Sequence, residues 1–334
     1  MTSTQPEQPI QFYDHPPEPE DAAAQLIEGL SHTQKAISPK FFYDEYGSEL
    51  FTAITRQPEY YPTRTEMSLL RASCEELKTL IGDDSVLIEY GSGNSEKIRL
   101  VLESLRPKVY APLDISRDYL AKAAESVAIE HPWLEVRATC IDYTKDFDLP
   151  FDVKGRKVGF FPGSSIGNFS RAGAQDFLGR VNEQLGDDGA LVIGVDMKKD
   201  ETVLNQAYND KAGVTAQFNK NVLTHLNREF DADFDLDDFE HLARYNEAEG
   251  CVQMFLVSRR AQDVTVAGKV VHLVKGEKIH TENSHKYAKE EFLAMASRAG
   301  FGGSKTWQDD KGWFSLFYLY NDRAILRNSS GSFK

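Results

Sequence analysis

The stretch SVLIEYGSGNSEK, residues 85–97, decides the fold class of this chain. Its first half, Ser85–Tyr90, is a short, mostly apolar run typical of a buried strand. Two glycines follow, Gly91 and Gly93, and a helical pattern begins at Ser95. Glycines let the backbone turn tightly and approach a ligand, and a helix N-terminus offers free N–H groups. The stretch therefore predicts a strand, a ligand-binding loop and a helix in direct succession.

Strands and single helices alternate for about a hundred residues around this loop. Strands are predicted at 85–90, 108–113, 134–141, 156–161 and 189–196. Helices are predicted at 95–105, 117–129 and 172–185. Such alternation indicates right-handed βαβ units and a mostly parallel sheet, which is an α/β fold.

The pattern changes on both sides of this block. Residues 1–20 contain five prolines and no basic residue, which predicts a flexible N-terminal arm and no targeting segment. Residues 200–247 are predicted to be helical and residues 250–284 to form short strands. We therefore predict an inserted substrate-binding domain at 200–284. The core would comprise residues 21–199, which begin with a helical segment, and residues 285–334.

The composition restricts the class of partner. The chain has 334 residues, with 38 Lys and Arg against 52 Asp and Glu, so its net charge is −14. This surplus argues against nucleic acid or an anionic membrane as the main partner. No apolar run approaches the ~20 residues of a membrane span. The three cysteines, Cys74, Cys140 and Cys251, are far apart and predict neither disulfides nor a zinc site, so we expect a cytoplasmic protein.

The glycine loop differs from the dinucleotide fingerprint, because Glu96 occupies the position of the third glycine. This difference argues against a dehydrogenase. The spacing resembles the E/D-x-G-x-G motif of class I methyltransferases that use S-adenosylmethionine (SAM). Asp114 ends the second predicted strand, where a carboxylate can accept both ribose hydroxyls. Asp142 ends the third, and its resemblance to the class I pattern implies that it takes the adenine amino group. Either acid could instead only cap a turn.

Other candidate sites are weaker. The sequence GSSIG at 163–167 resembles a hydrolase nucleophile elbow only loosely. The acidic run 228–240 lacks the EF-hand glycine and final glutamate, and the eight histidines show no metal-binding spacing. Asn168 follows the fourth strand, where it could hold a substrate carboxylate or amine, or simply favour a turn.

Four blocks resemble the histidine Nα-methyltransferases of ergothioneine biosynthesis, the EgtD-like family. They are FFYDEYGSELFTAITRQPEYYPTRTE (41–66), YGSGNSEKIRL (90–100), FFPGSSIGNF (160–169) and HTENSHKY (280–287). The resemblance covers residues 20–321. It implies a class I methyltransferase core that binds SAM, a second domain, and histidine bound between them. The same superfamily includes fungal enzymes that methylate a prenylated tryptophan, so that substrate stays open, as does a non-catalytic nucleotide-binding protein.

The resemblance also implies roles for twelve residues. SAM contacts are implied for Tyr43, Gly91, Lys97, Asp114, Asp142 and Tyr143. Substrate contacts are implied for Tyr60, Asn168, Tyr208, Met254, Glu282 and Ser284.

Within the substrate set, the resemblance implies that the catalytic Tyr60 hydrogen-bonds the amine. Asn168 and Tyr208 would hold the carboxylate. The imidazole would be bound by Glu282 and Ser284, with Met254 packed nearby. Three successive methyl transfers to L-histidine would give Nα,Nα,Nα-trimethylhistidine (hercynine), the first step of ergothioneine biosynthesis. We expect a monomer that needs no metal ion.

Overall fold

The computed structural model describes residues 10–15, 19–93 and 95–321. The helices in these ranges are α1 (Pro19–Ser31), α2 (Glu45–Thr55), α3 (Tyr61–Ile81), α4 (Glu96–Leu105), α5 (Arg117–Glu130), α6 (Arg171–Leu185), α7 (Glu201–Ala207), α8 (Val214–Glu229) and α9 (Lys289–Arg298). The strands are β1 (Gln11–His15), β2 (Val86–Tyr90), β3 (Val109–Asp114), β4 (Glu135–Ile141), β5 (Lys157–Phe161), β6 (Ala190–Asp196), β7 (Phe239–Asn246), β8 (Cys251–Ser258), β9 (Gln262–Val266), β10 (Lys269–Leu273), β11 (Lys278–His285), β12 (Gly303–Gln308) and β13 (Phe314–Tyr320). Short 3₁₀ turns occupy Pro39–Phe42, Ser165–Asn168 and Leu236–Asp238.

The main sheet has eight strands in the order β1-β4-β3-β2-β5-β6-β13-β12. The first six in this order are parallel, whereas β13 runs antiparallel to β6 and β12 antiparallel to β13. All five residues of β2 are buried, because helices cover both faces of a parallel sheet. The α/β class I methyltransferase architecture expected from the sequence is confirmed. Strand order reverses at β2, where sheets of this type bind ligands beyond their carboxyl ends.

A second unit packs beside this sheet. Strands β11, β8 and β7 form an antiparallel sheet, and β9 and β10 form a hairpin. The hydrophobic cluster of this unit includes Phe218 and Leu256 together with Leu26, Phe42 and Leu50 from the N-terminal segment. The sequence-based division assigned that segment to the SAM-binding core. In the structure Leu26, Phe42 and Leu50 pack in the same cluster as the insertion.

The structure differs from the sequence-based expectation at two further places. Residues 11–15 of the predicted flexible arm form β1, which pairs with β4 in parallel. An extended segment can satisfy the free backbone groups of an edge strand, and Phe12 packs against the core of the sheet. Residues 1–9 and 16–18 of the arm lie outside the described ranges. Residues 239–246, predicted to be helical, form β7, because pairing with β8 overrides local preference.

Candidate active site

The glycine loop after β2 folds back across the end of β3. Gly91 and Gly93 have φ values of +72° and +50°, in the region that favours glycine. The Gly91 N–H donates to the Leu113 carbonyl at 2.8 Å. A Cβ added at Gly91 would lie 2.8 Å from the Tyr143 hydroxyl. The loop therefore brings its backbone against both Asp114 and Tyr143.

Asp114 holds this loop through both carboxylate oxygens. Oδ2 accepts from the Gly93 N–H at 3.0 Å and Oδ1 from the Ser116 N–H at 2.9 Å. Burial raises the pKa of Asp114, although these backbone donors oppose the rise. The acid does cap a turn, as the alternative interpretation stated. A carboxylate has about four lone-pair sites, so it retains capacity for a ligand diol.

Asp142 and Tyr143 lie at the adjacent strand end. The Asp142 carboxylate accepts from the Thr144 N–H at 3.1 Å and from its hydroxyl at 2.5 Å. The Tyr143 ring meets Tyr90 edge-on, with centroids 6.3 Å apart. The predicted cofactor residues Gly91, Asp114, Asp142 and Tyr143 thus share one edge of the parallel sheet.

Lys97 belongs to a buried ion pair that sequence reasoning missed. Its Nζ lies 2.6 Å from Oε2 of Glu66, whose side chain is fully buried. The Gly163 N–H donates to the same carboxylate at 2.9 Å. Glu66 thereby ties α3 to α4 and to the loop after β5. A signal was present, because Glu66 shares a helical face with Leu69 and Leu70.

All six predicted substrate residues line one cavity. Tyr43 lines it as well, so one predicted cofactor residue borders the substrate cavity. The remaining lining is Phe51, Ile54, Gly163, Ser164, Ser165, Ala207, Thr215 and Phe218. The cavity is therefore walled by the N-terminal segment, the loop after β5 and the inserted unit.

Glu282 and Asn168 meet within this cavity. Asn168 Nδ2 donates to Glu282 Oε1 at 3.1 Å. Gly167 makes this approach possible, because a Cβ there would lie 2.8 Å from the His285 carbonyl oxygen. Met254 faces Glu282 directly across β8 and β11. Burial raises the pKa of Glu282 to about 7, while the Lys286 charge and the Asn168 hydrogen bond oppose the rise.

Two tyrosines connect the cavity to the cofactor edge. Burial raises the pKa of Tyr43 well above its usual value, and the charges of Glu282 and Asp114 raise it further. Tyr43 is therefore near both acids. Tyr60 immediately precedes α3, and its ring centroid lies 6.4 Å from that of Tyr208. Among the described residues, none hydrogen-bonds the Tyr60 hydroxyl, which leaves it free for a ligand.

Behind the cavity lies a buried network that the sequence did not reveal. The Tyr208 hydroxyl donates to Ser284 Oγ at 2.7 Å. Lys286 Nζ donates to both oxygens, at 3.0 and 2.9 Å, and pairs with Asp196 Oδ2 at 2.7 Å. Lys199 Nζ lies 2.5 Å from the other oxygen of Asp196. These two cations lower the pKa of Asp196 against the effect of its burial.

Residues 22–321 match the model of a family described as histidine-specific methyltransferase, SAM-dependent. The chain belongs to this family. It is 40% identical over 307 residues to a histidine N-alpha-methyltransferase of Mycolicibacterium smegmatis, covering 89% of this chain and 95% of the relative. Ergothioneine biosynthesis protein 1 of Neurospora crassa is 33% identical and is matched over 79% of this chain and 31% of its own length. A 4-dimethylallyltryptophan N-methyltransferase of Epichloe festucae var. lolii is 26% identical, with 87% and 92% covered.

Membership in this family makes the chain a SAM-dependent methyltransferase, and its loop fits that cofactor. Gly91 and Gly93 open the backbone to a ligand, and Asp114 lies beside them. The buried Ser92 hydroxyl has no hydrogen-bond partner among the described residues. In the same ranges, no cluster of ligating side chains could hold a metal ion, and no helix has the length and apolar character to cross a membrane.

Proposed function

We propose that this methyltransferase acts on the α-amino group of L-histidine. Three successive transfers would give Nα,Nα,Nα-trimethylhistidine, the first step of ergothioneine biosynthesis. The observation that carries the proposal is the single cavity that unites Tyr60, Asn168, Glu282 and Ser284 beside the cofactor edge. The histidine-specific family and the histidine N-alpha-methyltransferase relative support the same substrate. We further propose a cytoplasmic monomer whose partners are small molecules.

The cofactor would lie along the carboxyl ends of β2, β3 and β4. The loop at Gly91 and Gly93 would approach its amino acid portion, with Lys97 nearby. Asp114 would accept the ribose hydroxyls and Asp142 the adenine amino group, while the Tyr143 ring packs alongside. SAM supplies a methyl group activated by a positively charged sulfur. Tyr43 would close the space between this group and the substrate cavity.

The substrate would be anchored at both ends. Asn168 would donate to the carboxylate, which would lie beside Tyr208, whose hydroxyl proton goes to Ser284. Glu282 and Ser284 would bind the imidazole. Met254 would pack beside the ring because it faces Glu282 across the sheet. Orientation of this kind can lower a reaction barrier by ~7–11 kcal/mol. A fixed carboxylate also suits repeated transfer, since the amine can rotate while the rest of the molecule stays bound.

Tyr60 would orient the amine without acting as a base. Burial raises the pKa of Tyr60 well above its usual value, and neighbouring Tyr208 and Glu282 add to the rise. The phenol therefore stays protonated at neutral pH. Its oxygen can accept a hydrogen bond from the amine and direct the nitrogen lone pair at the methyl group. A proton must leave the ammonium before each of the three transfers, and water is an adequate acceptor for it.

The direct test is incubation of the protein with SAM and each of the twenty amino acids, with products measured by mass. Histidine should gain up to three methyl groups, and the remaining nineteen should gain none at comparable rates. Methylation of a different amino acid in preference to histidine would overturn the proposed substrate. Absence of methyl transfer to any of the twenty would overturn the proposed function.

A tryptophan-derived substrate is the second candidate, favoured by the 4-dimethylallyltryptophan N-methyltransferase relative and by the apolar lining at Ile54, Phe218 and Met254. Glu282→Ala separates the two candidates. In the parent protein, an apolar ring in place of imidazole would leave the buried Glu282 carboxylate without an N–H partner. This disfavours binding of the apolar ring by ~1–3 kcal/mol relative to imidazole. Glu282→Ala should therefore lower kcat/KM for histidine at least about tenfold. It should also reduce the ratio of kcat/KM for histidine to kcat/KM for tryptophan.

Glu282→Gln is the matched control, because it keeps the shape and one acceptor and should be milder. A competition reaction that contains both histidine and tryptophan gives the ratio of their kcat/KM values directly. A kcat/KM for histidine within about twofold of the parent in Glu282→Ala would show that Glu282 does not select the substrate.

A further inference from the structure

Lys286 is a fully buried lysine directly behind the substrate cavity, with 1% of its side chain exposed. An ammonium group has three N–H donors and no acceptor. Its three partners are Asp196 Oδ2 at 2.7 Å, Ser284 Oγ at 2.9 Å and the Tyr208 hydroxyl at 3.0 Å. Every donor of Lys286 is thus used. The lysine touches no substrate position itself, but two of its partners form the cavity wall.

The bonds from Lys286 determine what Ser284 can offer a ligand. Ser284 Oγ accepts from Lys286 and also from the Tyr208 hydroxyl. A phenol is a stronger donor than an aliphatic hydroxyl, so the Tyr208 proton points to Ser284. A serine hydroxyl has two acceptor sites and one proton. With both acceptor sites occupied, Ser284 can serve a ligand only by donating its own O–H into the cavity.

Glu282 offers the opposite function on the same strand face. Residues two apart on β11 are about 7 Å apart, which suits a small ring hydrogen-bonded at both sides. Glu282 Oε1 accepts from Asn168, and the carboxylate keeps further acceptor capacity. The cavity therefore presents one acceptor, at Glu282, and one donor, at Ser284.

We propose that Lys286 is a positioning residue that makes Ser284 a hydrogen-bond donor, so that the site binds the neutral form of the histidine ring. The ring N–H would donate to Glu282, and the bare ring nitrogen would accept from Ser284. A protonated ring has two N–H donors, so one of them would face the Ser284 O–H, which is also a donor, with the Lys286 ammonium behind it. The site would therefore disfavour the protonated ring. This inference rests on the proposed function and adds the protonation state that the site selects.

The charged and titratable groups that face Glu282 and Ser284 come from several elements. Lys286 and Tyr208 face them from behind the cavity, and Tyr60 and Tyr43 from the N-terminal segment. Burial raises the pKa of all three tyrosines. Burial lowers the pKa of Lys286, but Asp196 and Tyr208 more than offset this effect and hold it above its usual value. Among these groups, Glu282 and the ligand are therefore the ones that titrate near neutral pH. Behind Lys286, burial lowers the pKa of Lys199 to about 8, although Asp196 opposes this effect.

The first experiment compares L-histidine with the carbon-linked analogue 3-(1H-1,2,4-triazol-3-yl)alanine, using calorimetry in the presence of S-adenosylhomocysteine. The triazole ring has a donor and a bare nitrogen like imidazole but stays neutral across the pH range. At one pH unit below the imidazole pKa of ~6.5, only about one ring in eleven is neutral. Histidine affinity should then fall about tenfold relative to that of the triazole. Because the triazole does not titrate in this range, the pH dependence of its affinity records only titration of the protein. Parallel curves for the two ligands would overturn the proposal.

The second experiment removes the lysine. In Lys286→Met, Ser284 regains an acceptor site, so the tenfold preference for the neutral ring should shrink to about twofold or less. Lys199→Met is the matched control, because Lys199 is also buried and also pairs with Asp196 but contacts neither Ser284 nor Tyr208. It should keep the preference even if overall affinity falls. An unchanged preference in Lys286→Met, or an equal loss in both variants, would remove Lys286 from this role.

Binding of S-adenosylhomocysteine reports whether each variant is folded. If Lys286→Met does not fold, the ligand comparison on the parent protein still decides the protonation state. Failure of the proposed function is distinguishable, because histidine would then gain no methyl group and show no binding. Histidine that is methylated but bound equally well with a protonated ring would overturn this inference alone.

Discussion

Asp114 illustrates how one side chain can serve both the fold and a ligand. Its carboxylate fixes the loop through Gly93 and begins the turn at Ser116, yet it lies where a ribose diol would bind. Glu282 combines burial with a hydrogen bond from Asn168 in the same way. At the residue scale, therefore, the groups that build the cavity are also those proposed to recognise ligands.

Replacing Asp114 with alanine should weaken SAM binding by about 10- to 150-fold. The reason is the loss of a charge-assisted contact of ~1.5–3 kcal/mol, together with loss of the carboxylate that holds the Gly93 loop. Calorimetry with SAM measures the change. Asp118→Ala is the control, since that exposed carboxylate lies on the neighbouring helix α5 and should leave affinity unaltered. A folded Asp114→Ala protein with parental affinity would contradict the proposed ribose contact.

Tyr60→Phe should retain histidine binding and slow or shorten the series of methyl transfers. The hydroxyl has no hydrogen-bond partner among the described residues, so its removal leaves no buried group unsatisfied and should not harm the fold. Mass spectrometry over time would follow the mono-, di- and trimethylated products. Equal rates for all three transfers in parent and variant would exclude Tyr60 from the mechanism.

At the scale of an element, β11 and the residue after it organise the substrate cavity. Glu282, Ser284 and Lys286 are spaced by two and therefore share one face. The neighbouring 3₁₀ turn packs against this strand only because Gly167 has no side chain to meet His285. Strand β2 performs the corresponding task for the cofactor edge, and it carries the buried Glu89.

Glu89 should make the stability of the protein fall as pH rises. Burial raises its pKa to about 8, compared with ~4.3 in an unfolded chain. The folded state thus binds a proton that the unfolded state releases, so this contribution to stability is present below pH ~4 and is lost through pH 8. The effect is at most about 1.4 kcal/mol per pKa unit.

Urea unfolding of the parent and Glu89→Gln at pH 5 and pH 8 tests this expectation. The free energy of unfolding should fall less with pH in the variant, because glutamine does not titrate. Glu103→Gln, at an exposed position of α4, should behave like the parent. The contribution of Glu282 is the same in all three proteins and cancels. An identical pH dependence in Glu89→Gln and the parent would show that Glu89 is ionised in the folded state at neutral pH.

At the scale of the whole molecule, buried polar groups join the two units. Lys286, just after β11, pairs with Asp196 at the end of β6 and donates to Tyr208 and Ser284 of the insertion. Asn168, after β5, donates to Glu282 of the insertion. Separating the units would leave these polar groups buried without partners, which costs free energy.

We therefore expect the chain to unfold in one cooperative transition. Trp133 and Trp307 pack against the core of the parallel sheet, whereas residues 200–284 contain no tryptophan. The third tryptophan, Trp313, packs against the cluster of the second unit. In Trp313→Phe, tryptophan fluorescence therefore reports the parallel-sheet unit, while far-ultraviolet circular dichroism reports both units. The two probes should give coincident urea transitions. Separate midpoints would show that the insertion unfolds independently.

The sequence by itself determined the elements of the parallel sheet and the positions of the glycine loop and its acids. Strand and helix periodicities are local properties, and parallel strands necessarily bring their carboxyl ends to one edge. Family-specific blocks also predicted six residues that the tertiary structure brings to one cavity.

Only the tertiary structure decided which distant groups share a buried site. Asp196 and Lys286 are far apart in the chain, as are Glu66 and Lys97 from Gly163, so no local pattern pairs them. The same applies to β1, which forms because β4 offers a free edge, and to β7, which pairs with β8 against its local preference. In each case the deciding free energy comes from desolvation and hydrogen bonding between elements that are remote in sequence.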